Sequence, residues 1–269
     1  MGSFGLGHMD GGINRVQNRT PSKLTCVCYT AENSNLSSNL VRNIYQDKKQ
    51  RIWIATTYGL NLLEQGSAPD SINFISFTYK QGTPNSLIYN DVVHICEDSE
   101  NRLWLATYGG VSYFKDTNNP HLGFNSLTSE DGLINDVVYG IAEDKYGNLW
   151  ISTQNGISRY HPRKKVFDNF NNNNGLYFSN FCENSSISLH NGQLAFGNTS
   201  GILIITPDEI NRASFSPPIC FTNFLLFNKE VNINEKDSPL RKNINYTDEI
   251  ILRHNQSSFS IEYAALSYF

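Results

Sequence analysis

The sequence has no strong excess of charge and no long apolar run. Its 269 residues carry a formal net charge of −4 at pH 7. Nucleic-acid binding needs a basic surface to match the phosphates, so we expect no nucleic acid to contact this segment. No apolar stretch reaches the ~18 residues that a membrane helix needs, and no signal peptide precedes the first repeat. The sequence therefore predicts no membrane span of its own.

The sequence also lacks the usual patterns of metal ligands and catalytic groups. Its six histidines are scattered without ligand spacing. The odd number of cysteines cannot be fully bridged within one chain, and we interpret them as small buried hydrophobic residues with at most one disulfide. They are Cys26, Cys28, Cys96, Cys182 and Cys220. We expect no metal, no cofactor and no enzymatic activity in this segment.

The sequence also lacks helical periodicity. It contains instead a repeated sequence motif, called the repeated phrase below. The phrase occurs three times and then once in altered form: DKKQRIWIATTYGLNL at 47–62, DSENRLWLATYGGVSY at 98–113, DKYGNLWISTQNGISR at 144–159 and HNGQLAFGNTSGILI at 190–204. A repeat of ~40–50 residues built from short strands is typical of a β-propeller. A propeller is a scaffold that displays loops, so the fold alone assigns no chemistry.

Each repeat predicts one blade of four antiparallel strands. A run rich in Val, Ile and Tyr leads to an Asp, then a tight turn, then the tryptophan strand, then a glycine turn and a third strand. A more variable fourth strand follows. The first turn has Gln50 where the others have Asn101 and Gly147, and this difference predicts another turn geometry there.

The predicted fold class is all-β, a partial β-propeller followed by an incomplete β-sandwich. The propeller comprises about four four-stranded blades plus a stub at 4–16. The predicted domains are the C-terminal blades of the propeller at 1–210, a linker at 211–218 and the N-terminal part of an Ig-like sandwich at 219–269. Both domains read as pieces of longer ones.

The residues of the repeated phrase are predicted to be structural. The tryptophans stand between apolar neighbours and should form the core between blades. The aspartates should cap turns, and the glycines should occupy the second turn. These residues are Trp53, Trp104, Trp150, Asp47, Asp98, Asp144, Gly59, Gly110 and Gly156.

A binding site is predicted on the loops of one propeller face. Loops between the second and third strands share a face with loops leading into the first strand. Tyrosine rings there can stack on sugars, amides can bond hydroxyls, and a cation or histidine near the axis can reach an acidic sugar. The predicted ligand-binding residues are Tyr58, Tyr108, Gln154, Asn198, Asn90, Asp91, Asp136, Arg42 and His94.

The repeated phrase resembles the two-component-regulator propeller repeat. The tyrosine-rich stretch after Pro217 resembles the start of the sandwich domain that follows such propellers. The family comprises sensor regions of hybrid two-component systems in Bacteroides-type bacteria. The resemblance implies a periplasmic ectodomain of an inner-membrane histidine kinase, joined to the membrane only through a helix further along the chain. It also implies a homodimer that detects oligosaccharides from glycan breakdown and regulates the transcription of polysaccharide-utilisation genes.

Two alternatives remain open at the level of sequence. A propeller-fold polysaccharide lyase or hydrolase requires two carboxylates, or a set of His, Tyr and Arg, converging on the axis. Asp91 and Asp136 are the regular inward candidates for it. The other alternative is a platform for protein interactions, which is compatible with a sensor.

Overall fold

A computed structural model describes residues 4–8, 11–20, 23–65, 72–171, 180–210, 219–233, 235 and 238–265. The chain divides into two compact units, Met1–Glu209 and Ile210–Phe269. The predicted linker at 211–218 lies outside the described residues, and the three predicted domain ranges stay predictions.

Three four-stranded antiparallel sheets form the body of the first unit. We name them blades 1, 2 and 3. Their strands are β4 (Val41–Gln46), β5 (Ile52–Thr56), β6 (Gly59–Gln65) and β7 (Ile72–Phe77); β8 (Val92–Glu97), β9 (Leu103–Thr107), β10 (Gly110–Phe114) and β11 (Phe124–Leu127); and β12 (Val138–Glu143), β13 (Leu149–Thr153), β14 (Gly156–His161) and β15 (Val166–Phe170). Within each blade the strands pair in chain order. The predicted all-β architecture is confirmed.

A three-stranded sheet stands before blade 1 and another after blade 3. The strands of the opening sheet are β1 (Phe4–His8), β2 (Gly12–Thr20) and β3 (Lys23–Tyr29), and those of the fourth sheet are β16 (Phe181–Ser188), β17 (Leu194–Asn198) and β18 (Gly201–Ile205). The predicted stub thus forms the first hairpin of the opening sheet. The altered fourth repeat forms the fourth sheet, with three strands among the described residues.

The aspartate of each repeat holds both its turn and the tryptophan. In blade 2, Asp98 Oδ1 accepts from the backbone N–H of Arg102 at 2.8 Å, and Oδ2 accepts from the indole N–H of Trp104 at 2.8 Å. The aspartates of blades 1 and 3 make the same pair of contacts. A buried indole N–H needs an acceptor, so one carboxylate satisfies a turn and a core residue together.

The turn at Gln50 has the same geometry as its counterparts, so the prediction of a different turn is wrong. Its φ is +65°, against +62° at Asn101 and +80° at Gly147. In each case the amide donates to the carbonyl of the aspartate three residues earlier. The hydrogen bonds from the aspartate outweigh the modest cost of the left-handed backbone at a glutamine.

The glycine of the second turn is required by sterics. At Gly110, φ is +120°, and a Cβ would lie 2.6 Å from the carbonyl oxygen of Leu127. Gly59 and Gly156 have the same φ within a few degrees and the same close approach. In the same turn Thr107 Oγ1 donates to the carbonyl oxygen of Gly110 at 2.8 Å. The turn therefore admits no side chain at this position.

The tryptophans lie between blades. Trp53 is fully buried and packs in a cluster that joins blade 1 to Val92, Ile95 and Phe114 of blade 2. Trp104 joins blade 2 to blade 3 in the same way. The aromatic area buried at each interface makes these contacts a main source of stability.

The interpretation of the cysteines as buried is wrong for three of the five. Cys26, Cys28 and Cys182 are exposed, while Cys96 and Cys220 are half-buried, and all five are free thiols. Cys26 and Cys28 lie on β3 of the opening sheet, and Cys182 lies on β16 of the fourth sheet.

The second unit contains a sheet of three strands in the order β20-β19-β21. The strands are β19 (Ile219–Leu226), β20 (Lys229–Glu230) and β21 (Phe259–Ala265). Phe224, Leu240 and Ile244 form its small core. The side chain of Asn245 bonds both the N–H and the C=O of Phe221 at 2.8 and 2.6 Å. The short 3-10 helix Ile244–Tyr246 is thereby tied to the sheet.

Candidate ligand-binding site

The first strand of every blade carries a bulge of one residue. The regular pairing breaks between Val41 and Asn43 in blade 1, and the same break recurs in blades 2 and 3. Arg42 and Tyr139 are the bulged residues of blades 1 and 3. Bulges redirect side chains and are frequent beside functional sites. Here they aim a cation and a tyrosine away from the regular ladder.

The first strand of the fourth sheet has a larger irregularity. From Phe181 to Ser186 the chain takes five steps along β16, while the paired strand takes two from Asn198 to Phe196. Asn184 adopts a left-handed φ of +52° within this stretch. The wide bulge places Glu183 and Asn184 opposite blade 1, although about 140 residues separate them in sequence.

Arg42 joins two carboxylates from different blades. Its Nε and Nη2 donate to the two oxygens of Asp91 at 3.1 and 2.9 Å, and its Nη1 donates to Glu183 Oε2 at 2.8 Å. The bidentate pair with Asp91 is the stronger geometry of the two. The side chains of all three residues are partly exposed, so solvent reaches the network.

Two tyrosines stand beside this ion-pair network. The hydroxyl of Tyr108 donates to Glu183 Oε1. The guanidinium of Arg42 lies 6.0 Å from the centroid of the Tyr108 ring. Tyr139 meets Tyr108 edge to face, with ring centroids 6.4 Å apart. Arg42, Asp91, Glu183, Tyr108 and Tyr139 together are called the axial site below.

The charges of the axial site shift the pKa values of its members. The hydrogen bond and charge of Asp91 raise the pKa of Arg42, which stays protonated. Desolvation, followed by the hydrogen bond to Glu183, raises the pKa of Tyr108 above its ordinary value. The phenol therefore acts as a hydrogen-bond donor at neutral pH and is a poor base.

An asparagine pair extends the axial site. Asn43 Nδ2 donates to Asn184 Oδ1 at 2.5 Å. The other polar atom of Asn43, its Oδ1, is buried and accepts no hydrogen bond within the described part of the chain. A buried acceptor without a donor is costly.

Three of the predicted ligand-binding residues come together: Arg42, Asp91 and Tyr108. Tyr58 is 58% exposed on its own turn. Asn90 is used structurally, since its Oδ1 accepts from the backbone N–H of Tyr79 at 2.7 Å.

Asp136 is also used structurally, because its carboxylate accepts from both the N–H and the hydroxyl of Ser129. Asn198 is buried, and its Oδ1 accepts from the N–H of Ser200 at 2.8 Å. Gln154 is exposed at a turn. None of the three contacts the axial site among the described residues.

The prediction that His94 reaches the ligand is wrong. His94 is buried, and its Nδ1 accepts from the backbone N–H of Ile141 at 3.2 Å. Desolvation lowers its pKa to about 4. Val93 is the bulged residue of blade 2 and takes the place of Arg42, while His94 is the next residue and turns into the interface with blade 3.

Sequence reasoning missed Glu183, Tyr139, Asn43 and Asn184. The composition of the fourth repeat contained one signal for Glu183 and Asn184. Its first strand reads CENSS where the other first strands carry Val and Ile. The described residues hold no group of three His, Cys, Asp or Glu that could bind a metal ion.

A model of a family described as "two component regulator propeller" matches three segments of the chain. The matched segments are 35–58, 86–109 and 132–155. Each spans the first strand, the aspartate turn, the tryptophan strand and the second turn of one blade. The chain carries two-component regulator propeller repeats. Arg42, Asp91, Tyr108 and Tyr139 all lie inside the matched repeats, whereas Glu183 lies outside them.

Solved structures and a curated relative agree with this assignment. The extracellular domain of a hybrid two-component system of B. thetaiotaomicron is 28% identical, with a TM-score of 0.70 over 95% of this chain and 33% of that one. A second such domain of that organism has 19% identity and a TM-score of 0.62, covering 95% of this chain and 45% of that one, which shows the fold.

"Histidine kinase P4" of Formosa agariphila is 27% identical over 238 residues, covering 86% of this chain and 16% of the relative. The chain thus spans less than half the length of each of these relatives. No helix among the described residues is long and apolar enough to cross a membrane.

Proposed function

We propose that this chain is the extracellular, ligand-sensing segment of a hybrid two-component sensor histidine kinase, and that its ligand is an oligosaccharide released from a polysaccharide. The propeller repeats, the match to the extracellular domain of a hybrid two-component system and the similarity to a histidine kinase support the sensor assignment. The kinase activity, the periplasmic location, the homodimer and the control of polysaccharide-utilisation genes belong to the same proposal.

The observation that carries the oligosaccharide ligand is the convergence of Arg42, Asp91, Glu183, Tyr108 and Tyr139 on one face. Sugar sites combine aromatic rings, which cover C–H faces, with planar polar groups, which bond hydroxyls. The axial site has both. It is built from blades 1, 2 and 3 and the fourth sheet, so a ligand that bridges these elements alters how they sit together.

Calorimetry of the 269-residue chain against a panel of oligosaccharides tests the proposal. We expect at least one sugar to bind. Its affinity should fall about tenfold or more in Tyr108→Ala, which removes one ring that can stack on the sugar. Tyr246→Ala is the matched control, because Tyr246 is 74% exposed in the second unit. Tyr108→Phe separates the hydroxyl from the ring.

Two results contradict the proposal. The first is the absence of binding by any sugar, and tight binding of a protein would then point to the interaction platform. The second is equal weakening by Tyr108→Ala and Tyr246→Ala, because the axial site then contributes nothing. Circular dichroism of each variant checks that the loss is not one of folding.

A propeller lyase is the second candidate, and one observation favours it. Tyr108, Arg42 and two carboxylates meet at one place, as a proton-abstracting site requires. Against it, the pKa of Tyr108 is raised by desolvation and by Glu183, and a general base needs a pKa near the working pH. Turnover of a polysaccharide by the purified chain, lost in Asp91→Asn, would establish this candidate.

A further inference from the structure

We propose that the axial site selects uncharged oligosaccharides and rejects sugars that carry carboxylate or sulfate groups. This selectivity rests on the proposed function and adds the chemical class of the ligand. Three independent features carry it: the balance of charge, the polarity of the available hydrogen-bonding groups and the placement of the aromatic rings.

The single cation of the axial site is already neutralised. Arg42 donates to Asp91 through two nitrogens and to Glu183 through a third. An acidic sugar therefore meets two carboxylates and no unpaired cation. Arg42 cannot turn towards such a ligand without releasing a carboxylate.

The surrounding loops add to the negative charge. In the described loops that lead into the first strands of blades 1, 2 and 3, at 30–40, 78–91 and 128–137, Lys80 is the one basic residue. The acidic residues of these loops other than Asp91 are Glu32, Glu130, Asp131 and Asp136. The balance of charge in these three loops is therefore negative, as it is in the axial site itself.

Two of the five residues of the axial site offer hydrogen-bond acceptors alone. They are the carboxylates Asp91 and Glu183, which lie on either side of Arg42. A sugar hydroxyl can donate to each of them, whereas an ionised carboxylate or sulfate can only accept. An anionic group placed here would leave acceptors facing acceptors.

The rings offer apolar area beside these acceptors. Tyr108 and Tyr139 meet edge to face at 6.4 Å. Tyr89 is 46% exposed and packs on the turn after Tyr108, where a Cβ on Gly109 would lie 2.9 Å from Tyr89 Cβ. Rings of this kind bind the C–H face of a neutral pyranose, whose hydroxyls then reach the acceptors.

Two titration panels on the 269-residue chain test the selectivity. The first holds neutral arabino-, xylo-, manno- and gluco-oligosaccharides, and the second holds oligogalacturonides and disaccharides of heparin and chondroitin sulfate. An oligogalacturonide and its methyl ester form a pair that differs in charge and in one methyl group per esterified residue. We expect a neutral sugar to bind most tightly, and the acid to bind about tenfold or more weakly than its ester at low salt.

Glu183→Gln is the decisive variant, since it removes one charge and keeps the side-chain shape. It should narrow the gap in affinity between the acid and the ester by about fivefold or more at low salt, because one nearby unit charge has an effect of this size. Asp248→Asn makes the same change of charge on a side chain that is 98% exposed in the second unit, and should leave the gap unchanged.

The outcomes separate the two proposals. An acidic sugar as the tightest ligand overturns the selectivity and leaves the oligosaccharide sensor intact. A gap that Glu183→Gln does not narrow also overturns the selectivity, since the carboxylates then play no part. No binding by any sugar in either panel overturns the proposed function and the selectivity with it.

Discussion

Blades 1 to 3 and the fourth sheet use the same backbone plan with different side chains. Trp53 of blade 1 pairs with Leu62, and its counterpart Ala195 pairs with Ile204. Leu60 is fully buried, while Ile202 at the same register is 67% exposed. The repeated tryptophan therefore packs one blade on the next, and it is missing from the fourth sheet, where Ile202 is exposed among the described residues.

The same comparison explains the position of the axial site. In blades 1 to 3 the repeat is nearly regular and its side chains stabilise interfaces. In the fourth sheet the aspartate and tryptophan are absent, and the first strand instead bulges to carry Glu183 and Asn184. The regular part of the repeat supplies stability. The departure from it supplies Glu183 and Asn184, which make three of the hydrogen bonds that close the axial site.

The largest expected effect compares Leu60 and Ile202, which stand at the same register of the third strand in blade 1 and in the fourth sheet. Leu60→Ala should lower the free energy of unfolding by about 2–5 kcal/mol, because it opens a cavity between blades 1 and 2. Ile202→Ala should change it by less than about 0.5 kcal/mol. Chemical denaturation measures both. A cost at Ile202 close to that at Leu60 would show that the face of the fourth sheet is covered in solution.

The second prediction concerns pH, which acts on the interface of blades 2 and 3. The pKa of His94 is about 4 in the folded chain, lowered from 6.5 by desolvation. The unfolded chain therefore binds the extra proton between pH 6.5 and 4, and the stability that neutral burial provides is lost as the pH falls through that window. The loss should reach about 3 kcal/mol at pH 4.

His94→Asn is the matched variant for the pH prediction, because Asn43 occupies the same register in blade 1. The dependence of unfolding free energy on pH between 4 and 6.5 should flatten in it. An unchanged slope would mean that other groups, and not His94, govern acid sensitivity.

The sequence predicted the regular part of this protein better than the site. Repeat spacing indicated the blades, and the glycine column indicated the turns, because both follow from local backbone geometry. His94 was misplaced because it stands one residue beyond the position of Arg42, which Val93 occupies in blade 2, and a shift of one residue changes the face that a side chain takes. Glu183 was missed because its partners, Arg42 and Tyr108, lie far away in sequence, and no local pattern encodes their meeting.

The third prediction tests why blades 1 to 3 need the aspartate while the fourth sheet does not. Leu189 stands in its place there, and the backbone bonds of the turn still form, with Leu189 N–H 2.8 Å from the carbonyl oxygen of Gln193. Asp98→Ala should cost about 1–3 kcal/mol, because it leaves the buried indole N–H of Trp104 without an acceptor. Asp98→Asn keeps an acceptor and should cost less. Arg102 Nε also lies 2.6 Å from Asp98 Oδ2, and equal costs for the two variants would assign the effect to the loss of this ion pair.

The smallest expected difference separates two glycines at one register. Gly110 and Gly201 both have positive φ, +120° and +152°, but a Cβ at Gly110 would lie 2.6 Å from the carbonyl oxygen of Leu127, whereas none of the atoms described lies within 4 Å at Gly201. Backbone strain of about 1–3 kcal/mol applies to alanine at either site. The steric clash applies at Gly110 alone, so Gly110→Ala should be the more destabilising by about 1 kcal/mol or more. Equal costs in thermal unfolding would show that φ, and not the neighbouring strand, requires glycine in this turn.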